Sequence, residues 1–228
     1  MKVLVIDTAL GLCTAGVFEV ENGTARPLGL RSEAMAKGHS ERLGGLARDA
    51  VAEAGGFDAV DRIGVTVGPG SFTGLRVGLA FAQGLGAALH RPVVGVSTLD
   101  ALAASVDGPT TAALIDARRG QVYARFWRDG AADGPPEALS LEQAAERVAA
   151  LGAGATLVGT GAALLAAAAS GLIVTDLPGA SPEALARLTA AARPDQAPPS
   201  PLYLRAPDAT PPTRLPGQPR GQPRAASA

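Results

Sequence analysis

The strongest chemical signal in this sequence is residues 68–76, GPGSFTGLR, where a glycine-rich turn opens a helix. Free N–H groups at such a turn suit an anion. The stretch lacks the Gly-Lys-Ser/Thr ending of a P-loop, and no GxGxxG follows any strand. A tight turn with close packing is the competing explanation, because the glycine spacing continues well past a phosphate-contact turn. His39, Ser40 and Glu41 look superficially hydrolytic, yet adjacent helix residues diverge by about 100°, so His39 does not serve Ser40 as a base. His90 and the lone Cys13 are far away in sequence, and no metal-ligand spacing results. Arg118 and Arg119 mark a turn that offers phosphate contacts. With no further basic patch surrounding them, a solvated tip is the alternative.

A strand over 63–67 and a helix over 73–89 must hold the glycine-rich turn, with Ser71 or Thr73 as cap and Pro92 beyond the end. Glycines 74, 78, 84 and 86 fall inside the helix, forgoing roughly 4 kcal/mol of helicity at about 1 kcal/mol each. Close backbone approach is the expected compensation. Gly74, Gly78, Ala82 and Gly86 form an i, i+4 strip of small residues beside a ridge of Val77, Phe81, Leu85 and Leu89. A helix apolar nearly all round is buried on more than one side. The reading is that the ridge faces the chain's own sheet and the strip a partner.

Three antiparallel strands are expected to open the chain, over 2–6, 13–19 and 26–31, with Asn22-Gly23 as a hairpin turn. A helix over 40–54 follows, with Leu43, Leu46, Ala47, Ala50 and Val51 on one face and Gly55-Gly56 as its stop. After the central strand and glycine helix comes a buried strand over 93–96. The pattern then restarts with strands over 111–115 and 121–127. Helices over 141–151, 161–169 and 182–192 and strands over 156–158 and 172–174 complete the set. Strand, acid, tight turn, strand occurs twice, at IDTALGLCTAGVF and IDARRGQVYARF, which predicts two related lobes, 1–107 and 108–208. From 209 on, frequent proline, glycine and glutamine with three arginines and no acid predict a disordered tail, 209–228.

With 47% apolar and 18% charged residues, most of the 228-residue chain should fold. A net charge of -1 leaves no footprint for non-specific nucleic-acid binding. The single cysteine excludes a disulfide framework and fits a reducing cytosol. No signal peptide or membrane-spanning run is expected, so the protein reads as cytoplasmic.

The stretches VLVIDTA, GHSERL, GVTVGPGSFTGLRVGLAFAQGLG with GVSTLDALA, IDARRGQVYARF and PLYLRAPDA together resemble the TsaB (YeaZ) family over about residues 1–208. The resemblance implies an actin-like/sugar-kinase α/β fold of two related lobes with mixed sheets flanked by helices. It implies an accessory subunit in forming threonylcarbamoyladenosine next to the anticodon of tRNAs reading ANN codons. The family is a paralogue of the catalytic transferase, TsaD, which carries a His-Leu-Glu-Gly-His motif after the strand that follows its glycine helix. Here that stretch is Thr98-Leu99-Asp100-Ala101-Leu102. Thr98 and Leu102 stand at the ligand positions, and neither side chain replaces an imidazole. Asp7 and Thr8 fall at the vestigial nucleotide-site positions.

The resemblance further implies a non-catalytic protein, without metal or other cofactor of its own, that binds and activates the transferase. Its helices over 40–54 and 73–89 are expected to meet the partner's equivalents, with Leu43, Leu46, Gly74, Gly78, Ala82 and Gly86 at the interface. A TsaE-type ATPase joins the assembly, ATP and magnesium act in partner subunits, tRNA is met only through the complex, and a homodimer forms when the partner is absent. Two alternatives stay open: a self-sufficient actin-like ATPase or sugar kinase, with Asp7 near magnesium, and a metal-dependent peptidase or transferase.

Overall fold

Alternation along the first strand sets the layering of the whole molecule. In β1 (Lys2–Asp7), Leu4 and Ile6 point to one face and Val3 and Val5 to the other, and all four are fully buried. A strand buried on both faces belongs in the middle of a sheet. The computed structural model describes residues 1–205 apart from 169. The predicted disordered tail lies outside these residues.

The first sheet has the order β3-β2-β1-β4-β5. β2 (Leu12–Glu21) and β3 (Thr24–Ala34) form the antiparallel hairpin, and β4 (Arg62–Gly68) and β5 (Val93–Ser97) run parallel to β1. α1 (His39–Glu53) and α2 (Phe72–Leu89) cover the Leu4/Ile6 face, where Leu43, Leu46, Val51, Leu79 and Ala82 close the core. Ser71 caps α2 by accepting the Gly74 N–H at 3.3 Å. α2 is the one described helix long and apolar enough to cross a membrane, yet its small-residue side lies on this chain's own sheet.

The pattern repeats in the second sheet. β6 (Thr111–Asp116) pairs antiparallel with β7 (Gln121–Arg128), and β10 (Thr156–Val158) and β11 (Ile173–Thr175) add in parallel. The strand order is β11-β10-β6-β7-β8, with β8 (Ala131–Ala132) on one edge and β9 (Glu137–Ser140) also paired to β7. The repeat extends to local geometry. Asp7 Oδ1 accepts the N–H of Ala9 at 2.9 Å, and Asp116 Oδ1 accepts the N–H of Arg118 at 2.8 Å, each two residues on. α4 (Leu141–Ala149), with a Ser140–Gln143 capping box, covers the outer face. The expected helix over 161–169 is a 3-10 segment, Ala163–Ala168.

α3 (Thr98–Ala103) and α5 (Pro182–Ala191) fill the space between the sheets, joining Val3, Val5 and Phe18 of the first to Ala113, Ile115 and Val158 of the second. The break at 107/108 separates the two sheets, but the chain after 177 returns to the first. Arg62 Nη1 donates to the carbonyls of Thr189, Ala190 and Ala192 at 3.0, 3.0 and 2.7 Å, binding the end of α5 to β4. The Gly95 N–H then bonds the Ala197 carbonyl at 2.9 Å, and the Leu202 N–H bonds the Val67 carbonyl at 2.7 Å. Residues 197–205 thus form an extended strap across the first lobe.

Candidate functional site

Where the two hairpin turns face each other, they border a cleft of about 470 Å³. Ala9, Leu10, Gly11, Gly70 and Ser71 line it from the first lobe, and Asp116, Arg118 and Thr160 from the second. Asp7 and Thr8 do not reach it. Asp7 is 3% exposed, and its Oδ1 already accepts from the Thr66 hydroxyl at 2.8 Å as well as from the Ala9 N–H. Burial pushes its carboxyl above the usual carboxylate range, partly offset by those two hydrogen bonds and by His39. Thr8 Oγ1 donates to the Gly74 carbonyl at 2.7 Å.

The glycine-rich turn closes over this pair. The Ser71 N–H bonds the Ala9 carbonyl at 2.7 Å, and a methyl on Gly70 or Gly74 would overlap the carbonyl oxygens of Ala9 and Thr8 respectively. The turn's glycines therefore serve packing of one loop on another, and two of its N–H groups are engaged inside the chain, that of Ser71 by the Ala9 carbonyl and that of Gly74 by Ser71 Oγ.

Residues 18–150 match the family model described as TsaD: tRNA N6-adenosine threonylcarbamoyltransferase. Among relatives, the TsaB protein of Escherichia coli, a tRNA threonylcarbamoyladenosine biosynthesis protein, is 35% identical over 135 residues, 57% of this chain and 56% of that one. An uncharacterized protein of Mycobacterium tuberculosis is 43% identical over 129 residues, 56% of this chain and 60% of that one. The chain thus spans somewhat over half the length of these relatives. The crystal structure of a Pseudomonas aeruginosa protein with similarity to peptidase YeaZ superposes with TM-score 0.73 at 30% identity, covering 90% of this chain and 99% of that one. The chain belongs to the TsaB (YeaZ) family. The ROK hexokinase of Thermus thermophilus, at TM-score 0.50 and 18% identity, shares the fold alone, which is the actin-like/sugar-kinase fold expected from the sequence.

That fold commonly holds a magnesium-bound nucleotide between its lobes, and the residues present do not fit one. The carboxylate that would face magnesium, Asp7, is buried away from the cleft with one oxygen doubly engaged. Nor do the positions of the transferase's metal ligands fit a metal. Thr98 and Leu102 are both fully buried between the sheets, and the described residues contain no group of three His, Cys, Asp or Glu side chains placed to hold an ion. Thr98 Oγ1 has no hydrogen-bond partner among the described residues. His39 is buried while Ser40 is exposed, so the two diverge as their spacing requires.

The six residues expected at a partner interface are turned inwards. Leu43 and Leu46 are 1% and 5% exposed in the first core. Gly74 and Gly78 pack against Thr8, Gly86 packs against Val93, and Ala82 is fully buried. The reason is steric. Thr8, after β1, comes closer to Gly74 and Gly78 than any larger side chain allows, and Val93 of β5 does the same at Gly86, so the strip has to face the sheet. The ridge that the sequence reading placed inside, Val77, Phe81 and Leu85, is instead half-buried at the border of the α1–α2 layer. Outside it lies a surface of Gly44, Ala80, Gly84, Ala87 and Ala88, all exposed.

The strap is the feature that sequence reasoning left without a role. Its signal was present: PSPLYLRAPDA reads as extended and proline-punctuated. Gly95 of β5, where a methyl would lie 2.7 Å from the Pro198 carbonyl oxygen, was its hidden counterpart.

Proposed function

We propose that this chain is a non-catalytic subunit in the biosynthesis of threonylcarbamoyladenosine on tRNA, docking onto a transferase of the TsaD type and activating it. The observation that carries this reading is the burial of Thr98 and Leu102. A chain related to a metal-holding transferase has core residues where the ligands would stand. Such a chain contributes by binding. It acts on tRNA within the complex, and ATP and magnesium serve partner subunits, including a TsaE-type ATPase.

The outer surface of α1 and α2 is the docking face. Three of the four glycines in α2 are explained by contacts inside the chain, whereas among the described residues a Cβ on Gly84 would meet nothing within 4 Å beyond its own helix. The same holds for Gly45 of α1. Helix-interior glycine costs about 1 kcal/mol relative to alanine. Close approach of a partner's helix backbone accounts for that cost where the chain's own packing does not. Without the transferase, a second copy of this chain takes the same face.

Co-purification with a tagged TsaD-type transferase tests the docking, with the expected result a stoichiometric complex. Titration of the isolated chain with ATP and magnesium tests the competing kinase reading. No binding at micromolar ligand is expected, and micromolar affinity in the isolated chain would overturn the non-catalytic assignment.

A further inference from the structure

The strap and the hairpin turn it touches form a surface that the docking face leaves unused. Arg118 and Arg119 stand exposed at the β6–β7 turn, both in left-handed backbone, with φ of 62° and 54°. In the fold, Arg205 arrives at the same turn from the far end of the described chain. Its Nη2 donates to the Ala117 carbonyl at 3.1 Å and to Gln121 Oε1, and its guanidinium lies 6.0 Å from the centre of the Tyr123 ring.

Two residues earlier on the strap, Tyr203 lies against Phe72, with ring centres 5.4 Å apart and planes tilted by 36°. Both rings are unusually open for their size, Phe72 at 49% and Tyr203 at 44%. The exposed Arg76 lays its guanidinium over the Phe72 ring at 3.9 Å. Ser71, the neighbour of Phe72, and Arg118 line the same cleft, and the strap links the two places through Tyr203 on Phe72 and Arg205 at the turn.

We infer that this surface binds the unpaired loop of an RNA, with Tyr203, Phe72 and the Arg76 plane stacking on bases and Arg118 and Arg205 meeting phosphates. The inference rests on the proposed role in tRNA modification and assigns that role a contact on this chain. Unstacked loop bases are recognised on aromatic rings and guanidinium planes, because every base offers a π-face. Charge favours RNA over a second protein here. The carboxylate at the turn, Asp116, is already taken by Arg118, through the Arg118 N–H at 2.8 Å and the guanidinium at 3.3 Å. The Arg118 side chain still keeps 85% of its surface open. Beyond Arg205 the sequence adds Arg214, Arg220 and Arg224 against the single acid Asp208, so the overall charge of -1 conceals a locally basic end.

The test uses the full chain, alone and mixed with the TsaD-type transferase. Binding of a fluorescent RNA hairpin with an unpaired loop is compared with binding of its stem as a blunt duplex. Tyr203→Ala and the pair Arg76→Glu with Arg118→Glu are checked for unchanged melting and for assembly by size exclusion. Expected is a loss of about fivefold or more in hairpin affinity for Tyr203→Ala, with the duplex unaffected. For the arginine variant, the slope of log affinity against log salt should flatten by roughly 0.7–1 per phosphate contact removed. Ultraviolet crosslinks from the loop should map to the peptide containing Tyr203. Unchanged hairpin affinity in both variants, equal losses on hairpin and duplex, or no RNA binding by the wild type would each overturn the inference. So would intact RNA binding with lost assembly, which would give the patch to the partner protein. If the wild type fails to assemble with the transferase, the docking reading falls, and the RNA comparison on the chain alone still decides this surface.

Discussion

The Thr8 hydroxyl donates a hydrogen bond to the Gly74 carbonyl at 2.7 Å, while the Thr8 carbonyl fills the space where a Gly74 side chain would begin. One residue thus binds the first turn of α2 to the end of β1 and forbids a Cβ there. The glycine-rich turn and the first strand are locked as a unit. A sequence pattern that invites an anion-binding reading is here the requirement of a close internal contact.

That contact predicts the outcome of filling the strip. Gly74→Ala and Gly78→Ala each add about 1 kcal/mol of helix propensity, but the new methyl meets a backbone carbonyl in the first and the bonded Thr8 hydroxyl in the second. Overpacking of this kind costs about 1–3 kcal/mol. Both variants should melt several degrees below the wild type, since 1 kcal/mol moves Tm by about 2–4 °C at this size. Thermal denaturation checks it, and a raised Tm in either variant would show that α2 can lift from β1 without cost.

The buried Asp7 makes a prediction with a definite sign. Its folded-state pKa is raised above 3.8, chiefly by burial, so the folded chain holds the proton more tightly than the unfolded one. Stability is therefore lost as pH rises from 3.8 through the raised value, and the penalty persists above it. Asp7→Asn keeps an oxygen that accepts from Ala9 and Thr66 and removes the charge. Its Tm should exceed that of the wild type at about pH 8, and the gap should narrow as the pH falls towards 3.8. A gap that stays constant with pH would mean that Asp7 titrates normally.

Much of this architecture was legible because it rests on local rules. The continuous apolar run of β1, the Asn22-Gly23 hairpin and the repeated strand–acid–turn–strand pattern placed β1, β2, β6 and β7 within a residue or two, whereas the short edge strands β8 and β9 went unread. The direction of α2 was not legible. Small strip and bulky ridge are both apolar, and helical periodicity cannot say which one meets a backbone. That was decided by how close Thr8 and Val93 lie, a contact made across the sheet. The same limit hid the return of α5 to the first lobe, which depends on Arg62 gathering three carbonyls from residues 189–192. Arg205 beside Ala117 joins positions 88 apart in sequence, and no local pattern announces it.

The tail separates stability from docking. Residues 209–228 carry no apolar periodicity, so their deletion should leave Tm and assembly with the transferase nearly unchanged. Melting curves and co-purification on the truncated chain measure both. A substantial loss of transferase binding would give the tail arginines a part in docking.

Gly84 decides whether the outer face of α1 and α2 is the docking surface. Among the described residues, apart from its chain neighbours and the backbone of its own helix, nothing lies within 4 Å of a Cβ built there, in contrast to Gly78 six residues earlier, which packs on Thr8. Gly84→Ala should therefore raise helix stability by about 1 kcal/mol and leave the fold intact. Gly84→Leu should fold equally well, since its side chain points into open space in the isolated chain. Against a closely packed partner helix, the added carbons force the backbones apart, and affinity for the transferase should fall by about 1–3 kcal/mol, or roughly 5- to 150-fold. The pairing of the two readouts carries the argument: Tm unchanged or higher, affinity lower. A Gly84→Leu chain that melts normally and binds the transferase as tightly as the wild type would move the docking surface off these two helices.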